Sequence, residues 1–154
     1  LDFNDVVRAA LQATRPCCAI GEGADAHHVE VHFDHGELPA VAGEASVLIE
    51  AVTVVLMNAI EALLGGGVIT VRTWAAGAHV VCTIQDDGVG IAPDDQRRAL
   101  EPFFTTKAGE HKGLGLNVAF GLLRRHGGDL EVAAAPERGT VVTLRLPVIP
   151  SSGD

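Results

Sequence analysis

The sequence predicts a two-layer α/β sandwich: a mixed, mostly antiparallel sheet of about five strands, with three main helices on one face. Three observations point there. Val29, Val31 and Phe33 alternate with Glu30, His32 and Asp34, the period-2 pattern of a half-buried strand. A long helical pattern from about Glu44 to Leu64 places Leu48, Val52, Val55, Ala59 and Leu63 on one apolar face. Two pairs of β-rich runs, Val68–Trp74 with His79–Gln85 and Leu130–Ala133 with Thr140–Leu146, read as hairpins.

The remaining elements follow in order. Phe3 to Gln12 carries apolar residues at Phe3, Val6, Val7, Ala10 and Leu11, a short amphipathic helix that Pro16, Gly21 and Gly23 interrupt. Gly65-Gly66-Gly67 stops the long helix, and Ala75-Ala76-Gly77-Ala78 turns the first hairpin. Gly88 to Pro93 reads as a loop, Asp94 to Leu100 as a short helix and Ala108 to Lys112 as a polar, flexible stretch. Leu114 to His126 is helical and ends at Gly127-Gly128. The order is helix, strand, helix, hairpin, short helix, helix, hairpin, without the regular βαβ alternation of a doubly wound dinucleotide fold. One domain over residues 1–148 is expected, with a tail at 149–154.

A chain of 154 residues with 47% hydrophobic and 20% charged residues can bury a core and does not resemble a disordered segment. Its net charge of −9 excludes sequence-independent nucleic-acid binding, because the phosphate backbone would repel it. Phosphates must therefore be bound locally, through backbone amides, a metal ion and a few lysines. Three cysteines, Cys17, Cys18 and Cys82, make no paired framework and suggest reduced thiols in a cytosolic setting. Cys82 falls in a strand-like run, where a buried structural role is expected. No apolar stretch approaches the ~20 residues of a membrane-spanning helix. A start at Leu1 rather than Met is what a piece of a longer protein would show.

Chemistry concentrates between Asp86 and Leu116. In Asp86-Asp87-Gly88-Val89-Gly90 a carboxylate ends a strand, and glycines let the backbone turn sharply beside a planar ligand. Such a carboxylate accepts a hydrogen bond from an exocyclic amine like that of adenine; alone, the same residues also make an ordinary solvated turn. Gly113-Leu114-Gly115-Leu116 opens a helix whose free amides and dipole favour anions, and it is not a Walker A loop. Asn58 lies on a stripe with Ala51, Val54 and Glu61 beside the apolar face, and its amide oxygen suits Mg²⁺, which keeps several waters and takes substrate phosphates. A structural hydrogen bond is the alternative for Asn58. Lys107 and Lys112 flank the polar stretch, within reach of phosphates or simply solvated. His27, His28, His32 and His35 cluster around one strand as exposed polar positions, with metal binding the alternative, and His126 near a helix C-terminus suits the helix dipole.

Together these residues resemble the catalytic, ATP-binding domain of sensor histidine kinases, in the GHKL ATPase superfamily. The resemblance runs from about Asp2 to Pro147. Asn58 matches the metal-binding asparagine of the N box, Asp86, Gly88 and Gly90 the first glycine box, Phe103 and Phe104 the F box, and Gly113 and Gly115 the second glycine box. Gly139-Thr140 is similar to a late Gly-Thr whose threonine lies beside the adenine-reading aspartate. The run Glu101-Pro102-Phe103-Phe104-Thr105-Thr106-Lys107 is especially kinase-like, and Thr105 to Lys112 corresponds to a mobile ATP lid.

The resemblance implies ATP and Mg²⁺ as ligands, with Asn58 and Lys107 in catalytic roles and Asn58 on the metal. The implied nucleotide contacts add Glu61, Asp86, Gly88, Gly90, Ile91, Phe103, Phe104, Thr105, Lys112, Gly113, Leu114, Gly115, Leu116 and Thr140. It also implies transfer of the γ-phosphoryl group to a histidine on a separate dimerisation domain, with a response regulator further downstream. The isolated domain would be monomeric and cytoplasmic, and the full-length protein could be anchored through a sensor region. Two positions depart from the pattern. Val54 stands where relatives often carry Asn or Glu, and valine is no general base, so autonomous hydrolysis should be slow. His111 stands where the second glycine box usually begins with glycine. A pseudokinase or nucleotide-responsive interaction module on the same fold is the rival from another class, and a serine kinase of the anti-sigma type is a third reading.

Overall fold

The computed structural model describes residues 1–20, 27–63, 65–88 and 112–149. Helix α1 (Phe3–Thr14) begins where the Asp2 carboxylate accepts the Asn4 amide at 2.9 Å, and it buries Phe3, Val6, Val7 and Ala10 against the next helix. A 3₁₀ turn at Arg15–Cys18, with Pro16 in its first positions, leads into a two-residue strand β1 (Ala19–Ile20). Then come β2 (His27–His35), α2 (Ala45–Glu61), β3 (Gly67–Ala76), β4 (His79–Asp86), α3 (Lys112–Arg125), β5 (Asp129–Ala134) and β6 (Thr140–Pro147).

The strands form one six-stranded sheet in the order β1-β2-β3-β4-β6-β5. Only β2 and β3 are parallel, with Val29 opposite Gly67 and His35 opposite Thr73, as their connection through α2 requires. The other pairs are antiparallel, including the two expected hairpins. The sheet is mixed and mostly antiparallel, and it carries one short strand, β1, beyond the five expected. The inner face buries Ile69, Val71, Val80, Ile84, Leu144 and Leu146, and α2 covers it with Leu48, Val52, Val55, Ala59 and Leu63. Helix α3 packs beside α2 and contributes Leu116, Ala119 and Leu123 to the same core.

Element ends follow local chemistry. The expected helix to Leu64 ends at Glu61, because Leu63 donates to Ile60 and Gly66 to Leu63, so the chain tightens into turns. At the end of α3, Gly127 adopts φ +76, its amide bonds the Arg124 carbonyl and the Gly128 amide bonds Leu123, a glycine-dependent cap that stops the helix. A buried polar link joins α1 to the sheet: Asn4 Nδ2 donates to the Gly36 carbonyl at 2.7 Å and Thr73 Oγ1 donates to Asn4 Oδ1 at 2.7 Å. Among the described residues no helix is long and apolar enough to cross a membrane. Cys82 is buried and its thiol is pushed up to about 12 by burial, which keeps it protonated and inert.

Candidate nucleotide site

Asp86 is the last residue of β4, paired with Ile69 on β3, and is only 5% exposed. Its carboxylate accepts the Gly88 amide at 2.9 Å and the main-chain amide of Thr140. Burial raises its pKa; the amides of Gly88 and Thr140 pull it back, and neighbouring Asp87 adds to the rise. Gly139, at φ +97, lies directly against the Asp86 main chain, where a β-carbon would collide with the Asp86 carbonyl oxygen. Only glycine lets the β5–β6 turn approach so closely.

The turn after Asp86 is held by its neighbours. Asp87 Oδ1 accepts the Val68 amide at 2.9 Å, tying the turn to the start of β3. A β-carbon on Gly88 would sit 2.7 Å from the Ala62 carbonyl oxygen, so this glycine is seated against the end of α2. Ala62 lies one turn beyond Asn58 and donates its amide to the Asn58 carbonyl at 3.2 Å. Asn58 and Glu61 are half-buried on that final part of α2. One turn earlier, Val54 meets α3: a β-carbon on Gly115 would lie 3.1 Å from Val54 Cγ1. Val54 therefore serves as the packing contact that lets the first turns of α3 lie close to α2.

The structure thus brings Asn58, Glu61, Asp86, Gly88, Gly115, Leu116 and Thr140 around the end of α2, with Leu116 buried in the core. Lys112, Gly113 and Leu114 are described only as the opening backbone of α3. Gly90, Ile91, Phe103, Phe104, Thr105 and Lys107 lie outside the described residues, as do His111, the expected short helix at 94–100 and all of the expected lid at 105–112 except Lys112. Among the described residues no three His, Cys, Asp or Glu side chains are gathered to hold a metal. The Asn58 amide oxygen is a neutral donor of the kind Mg²⁺ accepts alongside a ligand's phosphates.

Two contacts escaped the sequence reading: the Asp87 bond to Val68, and the bond from Arg138 Nε to the Gly88 carbonyl at 3.1 Å. Gly67 sits against the first, where a β-carbon would lie 2.6 Å from Asp87 Oδ1. Away from the site, His126 Nδ1 lies 2.9 Å from the Leu122 carbonyl and Nε2 accepts the Glu44 amide at 3.4 Å, joining the end of α3 to the start of α2. His27, His28, His32 and His35 are exposed, with His32 Nε2 2.8 Å from Glu30 Oε2.

Known proteins share this fold. Residues 43–150 match the family described as histidine kinase-, DNA gyrase B- and HSP90-like ATPase. Sensor histidine kinase ZraS of Escherichia coli strain K12 is 33% identical over 149 residues, covering 96% of this chain and 30% of ZraS. The chain therefore spans about a third of the length of that relative. Among solved structures, mycobacterial sensor histidine kinase MprB has a TM-score of 0.80 and 30% identity, with 98% of this chain and 97% of that one covered. ShkA, solved full-length in complex with AMPPNP, shares the fold at a TM-score of 0.80 and 22% identity, over 99% of this chain and 31% of ShkA. The fold, the glycine-dependent turn at Asp86 and these likenesses agree: the chain belongs to the histidine kinase-, DNA gyrase B- and HSP90-like ATPase family, among its sensor histidine kinases.

Proposed function

We propose that this chain is the ATP–Mg²⁺-binding catalytic domain of a sensor histidine kinase. It would transfer the γ-phosphoryl group of ATP to a histidine on the dimerisation and phosphoacceptor domain of the same full-length protein. The observation that carries this reading is the buried Asp86 carboxylate, fixed by the Gly88 and Thr140 amides at the mouth of a glycine turn. It is a preorganised acceptor for the adenine amine, and its neighbours are the end of α2 and the first turns of α3.

In this reading Asn58 offers its amide oxygen to Mg²⁺, which when bound neutralises charge on the β- and γ-phosphates. The amides opening α3, around Gly113 and Gly115, receive phosphate oxygens at the positive end of the helix. By the family resemblance, Lys107 and Lys112 would bring positive charge to the phosphates, and Phe103, Phe104 and Thr105 belong to the motif that precedes and opens the lid. Catalysis then rests on positioning and charge stabilisation. The acceptor imidazole nitrogen forms a bond to the γ-phosphorus as the bond to the β–γ bridging oxygen breaks, and ADP leaves. Val54 provides no base to activate water, so the domain spares ATP until an acceptor is presented.

The test is transfer itself. Radiolabelled ATP is incubated with this domain and a separately produced dimerisation domain, and the acceptor's phosphate is challenged with acid and alkali. Label that is lost in acid and survives alkali is the expected result. Label with the opposite lability would favour a serine kinase, and tight binding without transfer would favour an interaction module.

A further inference from the structure

Arg138 stands in the turn between β5 and β6, outside the nucleotide contacts assigned above. Three consecutive residues at that turn grip Asp86 and Gly88 at the end of β4. Arg138 Nε donates to the Gly88 carbonyl at 3.1 Å, Gly139 abuts the Asp86 carbonyl, and the Thr140 amide bonds the Asp86 carboxylate. Gly88 is therefore held on both sides. Its amide donates to Asp86 Oδ1 at 2.9 Å, which fixes the peptide plane before its α-carbon, and Arg138 fixes the plane after it. A glycine lacks the side chain that would otherwise restrict these planes. Without Arg138 the second plane loses the side-chain bond that fixes it, and the turn presenting the Gly88 amide to Asp86 is held from one side only.

We propose that Arg138 is a positioning residue for adenine recognition: by holding the Gly88 carbonyl it keeps the Asp86 carboxylate oriented toward the base. This rests on the nucleotide-site reading of Asp86. Arg138 acts through a hydrogen bond to the protein's own backbone, so its effect is indifferent to how many phosphates the ligand carries. A guanidinium acting on phosphate charge would behave in the opposite way, strongest for ATP and absent for adenosine.

Adenosine, ADP and a non-hydrolysable ATP analogue are titrated into wild type, Arg138→Ala and Arg138→Gln, with thermal unfolding of each protein recorded. Glutamine places its Nε2 donor at the same number of bonds from the backbone as the arginine Nε, without the charge. Arg138→Ala is expected to weaken all three ligands alike, by about threefold to tenfold, the size of one lost hydrogen bond. Arg138→Gln is expected to restore most of that loss. A loss confined to the ATP analogue and shared by Arg138→Gln would overturn the proposal in favour of a phosphate contact, and an Arg138→Ala protein of undiminished affinity would overturn it outright. Should Arg138→Ala fail to fold, Arg138→Met, which keeps an unbranched stem and removes the donor, takes its place. A wild type that binds none of the ligands would contradict the nucleotide site itself, a failure distinct from that of Arg138.

Discussion

Gly88 and Ala62 lie in such close contact that a β-carbon on the glycine would stand 2.7 Å from the alanine carbonyl oxygen. That contact joins the two halves of the site, because Ala62 ends the helix that carries Asn58 and Gly88 follows the aspartate proposed to read adenine. Gly88→Ala should therefore separate them. We expect a loss of about 1–3 kcal/mol in stability from overpacking, with nucleotide affinity falling further than the stability loss explains. Chemical denaturation paired with ligand titration measures both; unchanged affinity would show that the contact does not set the site.

Gly115 and Val54 form the matching contact between α3 and α2. Gly115→Val pushes the first turn of α3 away from Asn58, at a cost of about 1–3 kcal/mol. The ATP analogue should bind more weakly while adenosine is nearly unaffected, since α3 is proposed to meet phosphates. Equal losses for both ligands would place the effect in the adenine pocket instead.

Asp86 should make the proposed site pH-sensitive. Burial, its largest influence, raises its pKa in the folded state. A carboxyl raised on folding favours the fold below its ordinary value of about 3.9, and that contribution disappears as pH rises through the folded value. Asp86→Asn, which does not ionise, should gain stability relative to wild type as pH rises through this window, measured by denaturant unfolding at a series of pH values. A constant gap would contradict the burial argument. Adenosine affinity of the wild type should fall on acidification through the same window, because a protonated Asp86 is a poorer acceptor.

Asn58→Ala tests the metal assignment. Affinity for the ATP analogue in Mg²⁺ should drop to the value that wild type shows in excess chelator, and the variant should lose nothing more when chelator is added. A further loss in chelator would leave the metal dependence with other groups.

Asn4 provides a contrast far from the chemistry. Its replacement by alanine removes the acceptor of the Thr73 hydroxyl proton and the donor to the Gly36 carbonyl, while Thr73 still accepts the Gly36 amide. About 1–3 kcal/mol of stability should be lost without a change in nucleotide affinity at a temperature where the variant is folded. A selective loss of affinity would tie α1 to the site.

Much of this arrangement was legible in the residues. The alternation at Val29 to Phe33, the apolar face from Leu48 to Leu63 and the Gly127-Gly128 stop are local signals, and the corresponding elements formed around them. Boundaries moved where long-range pairing prevailed. Ala75 and Ala76 are poor strand formers, yet the ladder to Val80 and His79 draws them into β3. Strand β1 is two residues long, too short for any period to show, and is defined only by its pairing with His27 and His28. The glycines at 88, 115 and 139 could be read as turn formers, but what each approaches comes from chain far away in sequence. Arg138 was silent for the same reason, since nothing beside it names Gly88 as its partner.

Asp86 is proposed to select adenine within a working ATP–Mg²⁺ site. Calorimetric titration of the domain with a non-hydrolysable ATP analogue and Mg²⁺, beside Asp86→Asn, tests it most directly. Binding by the wild type, lost in a variant whose fold is intact, is the expected result. Equal binding by both proteins, or none by a well-folded wild type, would contradict it.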